Sequence, residues 1–301
     1  MSLAKTALIA HTQNLNLVIR HVLAGLGHGV HAGRERGAGV EFSEYRAYAP
    51  GDEWRRVDWK LLARADRYYV REAERDSHVA VWLVLDASAS MLEPSRHVDG
   101  IDKLTYARIV LGCIAAIAQR QGDAFGLLIL NNGKPEFTPA LRGPRHLQRV
   151  LLQLSRVEPA GALPDAETLR ASLHFAQAPS VVYAISDLLD WPSPLSQALL
   201  RLRGMRHDVR LLCLQTQAEV EASFSSTPAY RDPEQGSGVF RFGADLQDGY
   251  RRNREAHFAQ VAAQCRKSDI PLVEARIEQA PGEVLRRMLS PSSLRRSGSR
   301  R

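Results

Sequence analysis

His78-Val79-Ala80-Val81-Trp82-Leu83-Val84-Leu85-Asp86-Ala87-Ser88-Ala89-Ser90-Met91 is the stretch on which the reading of this chain turns. Residues 79–85 are an almost unbroken β-branched, aromatic and aliphatic run, the pattern of a strand buried on both faces of a sheet. Asp86 ends that run, and Ser88 and Ser90 follow at alternate positions. In a locally extended loop, residues two apart point the same way. One carboxylate and two hydroxyls then converge at the carboxyl end of a central strand, the edge at which open α/β sheets bind ligands. Hard oxygen donors of this kind suit Mg2+, Mn2+ or Ca2+ rather than zinc or copper. Two other readings stand beside this one. Asp and Ser ahead of a long helix are good N-caps and need no metal. A serine nucleophile is conceivable, but no G-x-S-x-G elbow surrounds it and His97 is the only histidine close in sequence.

Downstream, strands and helices alternate. A long helix is expected over about 102–120, with Leu104, Ala107, Val110, Leu111, Ile114 and Ile117 on its buried side. A strand at 125–130, a turn at Asn131-Asn132-Gly133 and a short strand at 136–138 follow. Helices are expected over 145–155 and 165–176, the second capped by Asp165. Residues 181–186 form a second fully buried run that ends at Asp187, a second carboxylate able to reach the same edge. A helix over 194–202, a strand at 209–214, a loop-rich insertion at about 222–249, a helix over 250–267, a strand at 271–275 and a helix over 281–288 complete the pattern. Such alternation predicts an α/β fold with a doubly wound, mostly parallel sheet.

Upstream lie two further segments. Residues 1–35 read as a helical segment, periodic over 4–33 through Leu8, Ile9, Leu15, Val18, Ile19, Val22 and Leu23. Residues 36–77 read as a small charged α+β module. Its 37–76 stretch holds nine acids and eight bases together with Trp54, Trp59 and four tyrosines. Strands are expected at 41–48 and 67–74, joined through the turn Ala49-Pro50-Gly51-Asp52 and a short helix capped by Asp52. The α/β domain then spans 78–289, and 290–301 is a basic tail with the composition of disorder.

Composition excludes several classes. Of 301 residues, 45% are hydrophobic and 24% charged, as in ordinary globular chains and unlike disordered or fibrous ones. The longest apolar stretches, Val79–Leu85 and Ile109–Ala118, fall short of the ~20 residues of a membrane helix. No signal-peptide pattern opens the chain. Cys113, Cys213 and Cys265 are scattered and form no CxxC pair, so a reduced, cytoplasmic protein is expected. The net charge is +7, and four arginines of SPSSLRRSGSRR supply more than half of it. No basic stripe with interleaved aromatics exists elsewhere, which argues against a dedicated nucleic-acid binder. P-loop, dinucleotide-binding and H-E-x-x-H motifs are absent.

A buried strand followed by D-x-S-x-S resembles the metal-ion-dependent adhesion site of the von Willebrand factor A fold. The stretch Tyr45-Arg46-x-Tyr48-x-Pro50-Gly51-Asp52-x-x-Arg55-Arg56-x-Asp58-Trp59-x-x-x-Ala63-Arg64, leading on to Val70-Arg71, is similar to the signature of the bacterial domain of unknown function 58 family. There, as here, the signature precedes the A-type domain, and Ile185-Ser186-Asp187 resembles that domain's later strand end. The resemblance spans about residues 15–289. It implies a von Willebrand factor A-like sheet and a binding role rather than catalysis. It also implies a MoxR-type AAA+ ATPase as partner, in the assembly or maturation of other complexes with a client left open. Carried over residue by residue, Asp86, Ser88, Ser90 and Asp187 would hold Mg2+ (or Mn2+ or Ca2+). Arg46, Tyr48, Gly51, Asp52, Arg55, Asp58, Trp59 and Arg64 would form an interaction signature. One departure is plain: where the fold usually carries a site threonine, this chain reads Gly161-Ala162-Leu163-Pro164-Asp165, and Thr168 falls inside a predicted helix. The departure leaves three outcomes open: a site that binds metal weakly, one that uses Asp165 or water instead, or a vestigial one. The expected function is a non-enzymatic protein–protein interaction module. The alternatives are a metal-assisted hydrolase using the same carboxylates, or nucleic-acid contact through the arginine tail.

Overall fold

The computed structural model describes residues 14–26, 44–48, 57, 59, 62, 68–72, 80–173, 179–223, 230–231, 239–240 and 244–290. The chain divides into two compact units, His28–His78 and the remainder, Met1–Gly27 with Val79–Arg301.

In the large unit, Asn14 accepts from Leu17 N at 3.2 Å and starts helix α1 (Leu15–Gly25), which buries Val18, Ile19 and Val22. The expected helix over 4–33 is seen over this range, and its outer parts lie outside the described residues. In the small unit, β1 (Glu44–Ala47) pairs antiparallel with β2 (Tyr69–Glu72), setting Arg46 opposite Val70. Tyr48 N extends the ladder by donating to Tyr68 O at 2.9 Å. Val57 is buried and Trp59 is 57% exposed. Gly51, Asp52, Arg55, Asp58 and Arg64, with the expected turn and cap at 49–52, lie outside the described residues.

The large unit continues with β3 (Val81–Asp86), α2 (Lys103–Gln121), β4 (Phe125–Asn131), β5 (Lys134–Leu141), α3 (Pro144–Arg156), α4 (Ala166–Ser172) and β6 (Val181–Ser186). Then come α5 (Pro194–Gly204), β7 (Asp208–Gln215), α6 (Gln217–Glu221), β8 (Tyr230–Arg231), β9 (Val239–Phe240), α7 (Ala244–Lys267), β10 (Leu272–Arg276) and α8 (Pro281–Leu289). Six strands form one sheet in the order β10-β7-β6-β3-β4-β5. Its pairs are parallel except the β4–β5 hairpin. This is the doubly wound α/β sheet expected, in the form a von Willebrand factor A-like domain implies. β3 is buried at every position and sits in the middle, as its unbroken apolar run requires. From β3 the chain winds outward through β4 and β5, then returns to β3's other side with β6. The β3/β6 boundary is therefore the topological switch point, where a crevice opens at the strands' carboxyl ends.

Several elements differ from the reading of the sequence, among them the short helix α6, which was not expected. β5 runs over eight residues rather than three, because Pro135 and Pro139 are tolerated on an edge strand. α7 begins at Ala244, inside the stretch expected to be an insertion, and carries Gly249 in its interior; a helical glycine costs about 1 kcal/mol and does not end a long helix. The same stretch holds the short β8–β9 hairpin. Finally, α2 is buried around most of its circumference rather than on one side. It lies between the sheet and α1, and a Cβ on Gly112 would fall 2.4 Å from Ile19 Cδ1, so the two helices meet through that glycine.

Candidate functional site

Asp86 is buried at the end of β3. Its Oδ1 accepts from Ser88 N at 2.9 Å and from Ser88 Oγ at 2.7 Å, folding the loop back over the carboxylate. Ser88 Oγ lies 3.2 Å from Ser90 Oγ. Met91 is fully buried and anchors the 3-10 turn Ala89–Leu92 that follows. The three oxygen-bearing residues singled out in the sequence are thus brought together. None of them caps the long helix: Ser88 makes no side-chain cap bond, and α2 is capped by Asp102, whose Oδ1 accepts from Thr105 N at 2.6 Å.

The neighbouring strand contributes two more residues. Ser186 Oγ donates to Asp86 Oδ2 at 2.6 Å and accepts from Leu188 N at 3.0 Å. Asp187 reaches the same edge, buried at 3% exposure, but turns to a different partner. Its Oδ2 lies 3.1 Å from Lys103 Nζ, and its Oδ1 accepts from Leu189 N at 3.3 Å. Leu188, directly after it, adopts φ +57°, a conformation rare for a large side chain. That turn is held by the Leu188 carbonyl, which accepts from His257 Nε2 at 2.8 Å. Lys103 Nζ also lies 2.7 Å from Glu219 Oε1, while Glu219 Oε2 accepts from Thr216 N at 2.6 Å in the capping box of α6.

Lys103 and Glu219 were not singled out by sequence reasoning, and Ser186 was named only within the Ile185-Ser186-Asp187 strand end, without a role. Lys103 did carry a signal: a cation at the first position of a helix opposes the macrodipole, so a lysine there calls for carboxylates nearby. The Thr216-x-x-Glu219 spacing is itself a readable capping box.

The electrostatics follow from burial. Asp86 is pushed up from 3.8 to about 6 by desolvation first and by the Asp187 charge second, against the bonds from Ser186 and Ser88. Burial also works against the Lys103 charge, but the Asp187 and Glu219 carboxylates outweigh it and hold the ammonium above its ordinary range. With Asp86, Asp187 and Glu219 ionised against Lys103, the cluster carries three negative charges and one positive, a net of −2.

The third loop of this edge is built from backbone. Ala160 N donates to Ala87 O at 3.2 Å, and Ala89 N donates to Gly161 O at 2.9 Å. Gly161 has φ +57°, and a Cβ there would fall 2.6 Å from Asn132 Oδ1. Asp165 is exposed and caps α4, accepting from Thr168 N at 2.8 Å and from Thr168 Oγ1 at 3.1 Å. Both side chains are therefore engaged with one another. A cleft of about 700 Å3 lies elsewhere, between α4 and α5, and no residue of the acidic cluster lines it.

A hard divalent cation fits the donors that remain. Asp86, Ser88 and Ser90 offer one carboxylate and two hydroxyls, and among the described residues no ammonium or guanidinium pairs with Asp86. Among the described residues no three His, Cys, Asp or Glu side chains gather as a metal cage, so water would fill most of the shell, as is usual for Mg2+.

The family model described as "Protein of unknown function DUF58" matches residues 44–264, well over half of the chain. The chain belongs to the DUF58 family. Two relatives, an uncharacterized protein of Mycobacterium tuberculosis and one of Mycobacterium bovis, are each 31% identical over 281 residues, covering 90% of this chain and 86% of theirs. Among solved structures, this DUF58 chain is similar to BatB from Bacteroides thetaiotaomicron at 14% identity and a TM-score of 0.43, covering 70% of this chain and 98% of that one. It is also similar to the SpRpn10 VWA domain at 11% identity and a TM-score of 0.42, covering 71% and 95%. No helix among the described residues of this DUF58 member is long and apolar enough to cross a membrane.

Proposed function

We propose that this DUF58 chain is a non-enzymatic protein–protein interaction module that acts with a MoxR-type AAA+ ATPase in assembling or maturing other complexes, through a metal-ion-dependent adhesion-type site. The observation that carries this reading is the convergence of Asp86, Ser88 and Ser90 at the carboxyl edge of β3, beside the end of β6. Asp86, Ser88 and Ser90 would hold Mg2+ (or Mn2+ or Ca2+), and a bound cation supplies an open coordination position for an acidic side chain of the partner. The ATPase is what the family resemblance implies, and the client it serves is left open.

Binding rather than turnover is favoured by how the serines are used. The Ser88 proton is directed at Asp86 and the Ser186 proton at the other oxygen of the same carboxylate. Among the described residues no imidazole hydrogen-bonds any of these hydroxyls; His257 is engaged with Leu188 O and His146 with Phe125 O. A serine hydrolase needs a base positioned on its nucleophile. We place the chain in the cytoplasm, in keeping with Cys113, Cys213 and Cys265, all buried and all free thiols.

The test is a binding measurement between the purified chain and a MoxR-type ATPase, with Mg2+ or with EDTA, for wild type and Asp86→Ala. Loss of binding in EDTA and in the variant is expected. Binding that survives both unchanged removes the metal from the mechanism, and no binding under any condition removes the ATPase.

A further inference from the structure

Lys103 occupies a position that is adverse twice over. It is the first residue of α2, where an ammonium meets the positive end of the helix, and its side chain is 1% exposed. An unpaired buried charge there is not tolerated. It is held because two carboxylates from outside its own helix converge on it, Asp187 after β6 at 3.1 Å and Glu219 on α6 at 2.7 Å. The ammonium therefore joins three elements at the edge where Asp86 lies, without pairing with Asp86 itself.

We propose that Lys103 sets the cation affinity of the site: it is a resident cation that takes Asp187 out of coordination and lowers the negative charge presented to an incoming ion. The inference rests on the cation-binding reading of Asp86, Ser88 and Ser90. With Lys103 in place the cluster stands at −2, and Glu93 and Arg96 beside it add one charge of each sign. With a neutral side chain at 103 it would stand at −3, and Asp187 Oδ2 would be released toward the ion. Lys103 thus keeps the divalent affinity of the free chain low, so that a partner's acidic group is needed to hold the ion firmly.

Calorimetric titration of Mg2+ and Mn2+ into the full chain tests this. Lys103→Met is expected to bind at least tenfold more tightly than wild type, since the cation that holds the Asp187 carboxylate is being removed. Glu219→Gln lowers the negative charge by one and keeps the α6 capping interaction, so it is expected to bind several-fold more weakly. Asp86→Ala should give no heat. Wild-type binding that is unchanged in both Lys103→Met and Glu219→Gln overturns this inference and leaves the proposed function standing. Heat absent from wild type but present in Lys103→Met supports it and removes the metal from the free wild-type chain. Absence of heat in every variant overturns both readings. Should Lys103→Met lose its far-ultraviolet circular dichroism, Glu219→Gln decides alone, and an unchanged affinity there is the overturning result.

Discussion

Ser186 Oγ donates to Asp86 Oδ2 at 2.6 Å, joining the ends of two adjacent parallel strands that stand 100 residues apart in sequence. The carboxylate it meets is 2% exposed, so each donor it keeps offsets part of a large desolvation cost.

Removing that donor should be felt. Ser186→Ala is expected to lower stability by about 1–3 kcal/mol in metal-free buffer, the range for a buried acceptor that loses a partner. Ser90→Ala, whose hydroxyl meets only Ser88 Oγ at 3.2 Å among the described contacts, should lose about 1 kcal/mol or less. Urea unfolding of both variants checks the order; equal losses would show that the Ser186 bond carries no special weight.

Asp86 also makes stability depend on pH. Its pKa is raised from 3.8 to about 6 in the folded chain, so between those values the folded state binds the proton that the unfolded state has released. The contribution is fully present below about 4 and is lost as pH rises through about 6, a loss on the order of 3 kcal/mol. In buffer with chelator, Asp86→Asn should therefore melt above wild type at pH 8, and the gap should close by pH 4. A gap that is independent of pH would mean that the carboxyl is not raised.

Gly112 separates two opposing effects. The Cβ of Gly112→Ala meets Ile19 Cδ1, the free end of a flexible side chain, and replacing a helical glycine gains about 1 kcal/mol of propensity. That variant should lie within about 1 kcal/mol of wild type. Gly112→Leu overfills the α1–α2 contact and should cost about 1–3 kcal/mol. Limited proteolysis should then cut within residues 15–25 of the leucine variant and spare the alanine one.

Gly126 meets a rigid neighbour instead. A Cβ there would lie 2.2 Å from Trp82 Cζ3, and the indole is itself stacked on Phe137 at 5.5 Å. The ring cannot withdraw as a methyl can. Gly126→Ala should cost about 1–3 kcal/mol and change the near-ultraviolet circular dichroism of the tryptophans. An unaltered aromatic spectrum with full stability would count against this packing.

Much of the fold was legible in local pattern. The apolar runs at 81–85 and 181–185 could bury both faces only inside a covered sheet, and the alternation of strands with helices prescribed parallel pairing. Element limits were less so. The prolines of β5 and the glycine of α7 read as breaks, because a residue's cost is local while edge pairing and helix packing are supplied by neighbours distant in sequence. The all-round burial of α2 was likewise invisible until α1 was seen lying on it.

At the candidate site the division is similar. Asp86-x-Ser88-x-Ser90 is a local arrangement: two-residue spacing and the bond from Ser88 N bring its oxygens together within one loop, so the sequence by itself determined it. What Asp187 does was decided by tertiary structure. Its carboxylate reaches the predicted edge but pairs with Lys103, 84 residues earlier, which in turn binds Glu219, 116 residues later than Lys103. Coulomb energy depends on distance and burial rather than on spacing along the chain. Only the doubly wound sheet, by setting the end of β6 beside the start of α2, placed a buried ammonium between two carboxylates and, among the described residues, left Asp86 without one.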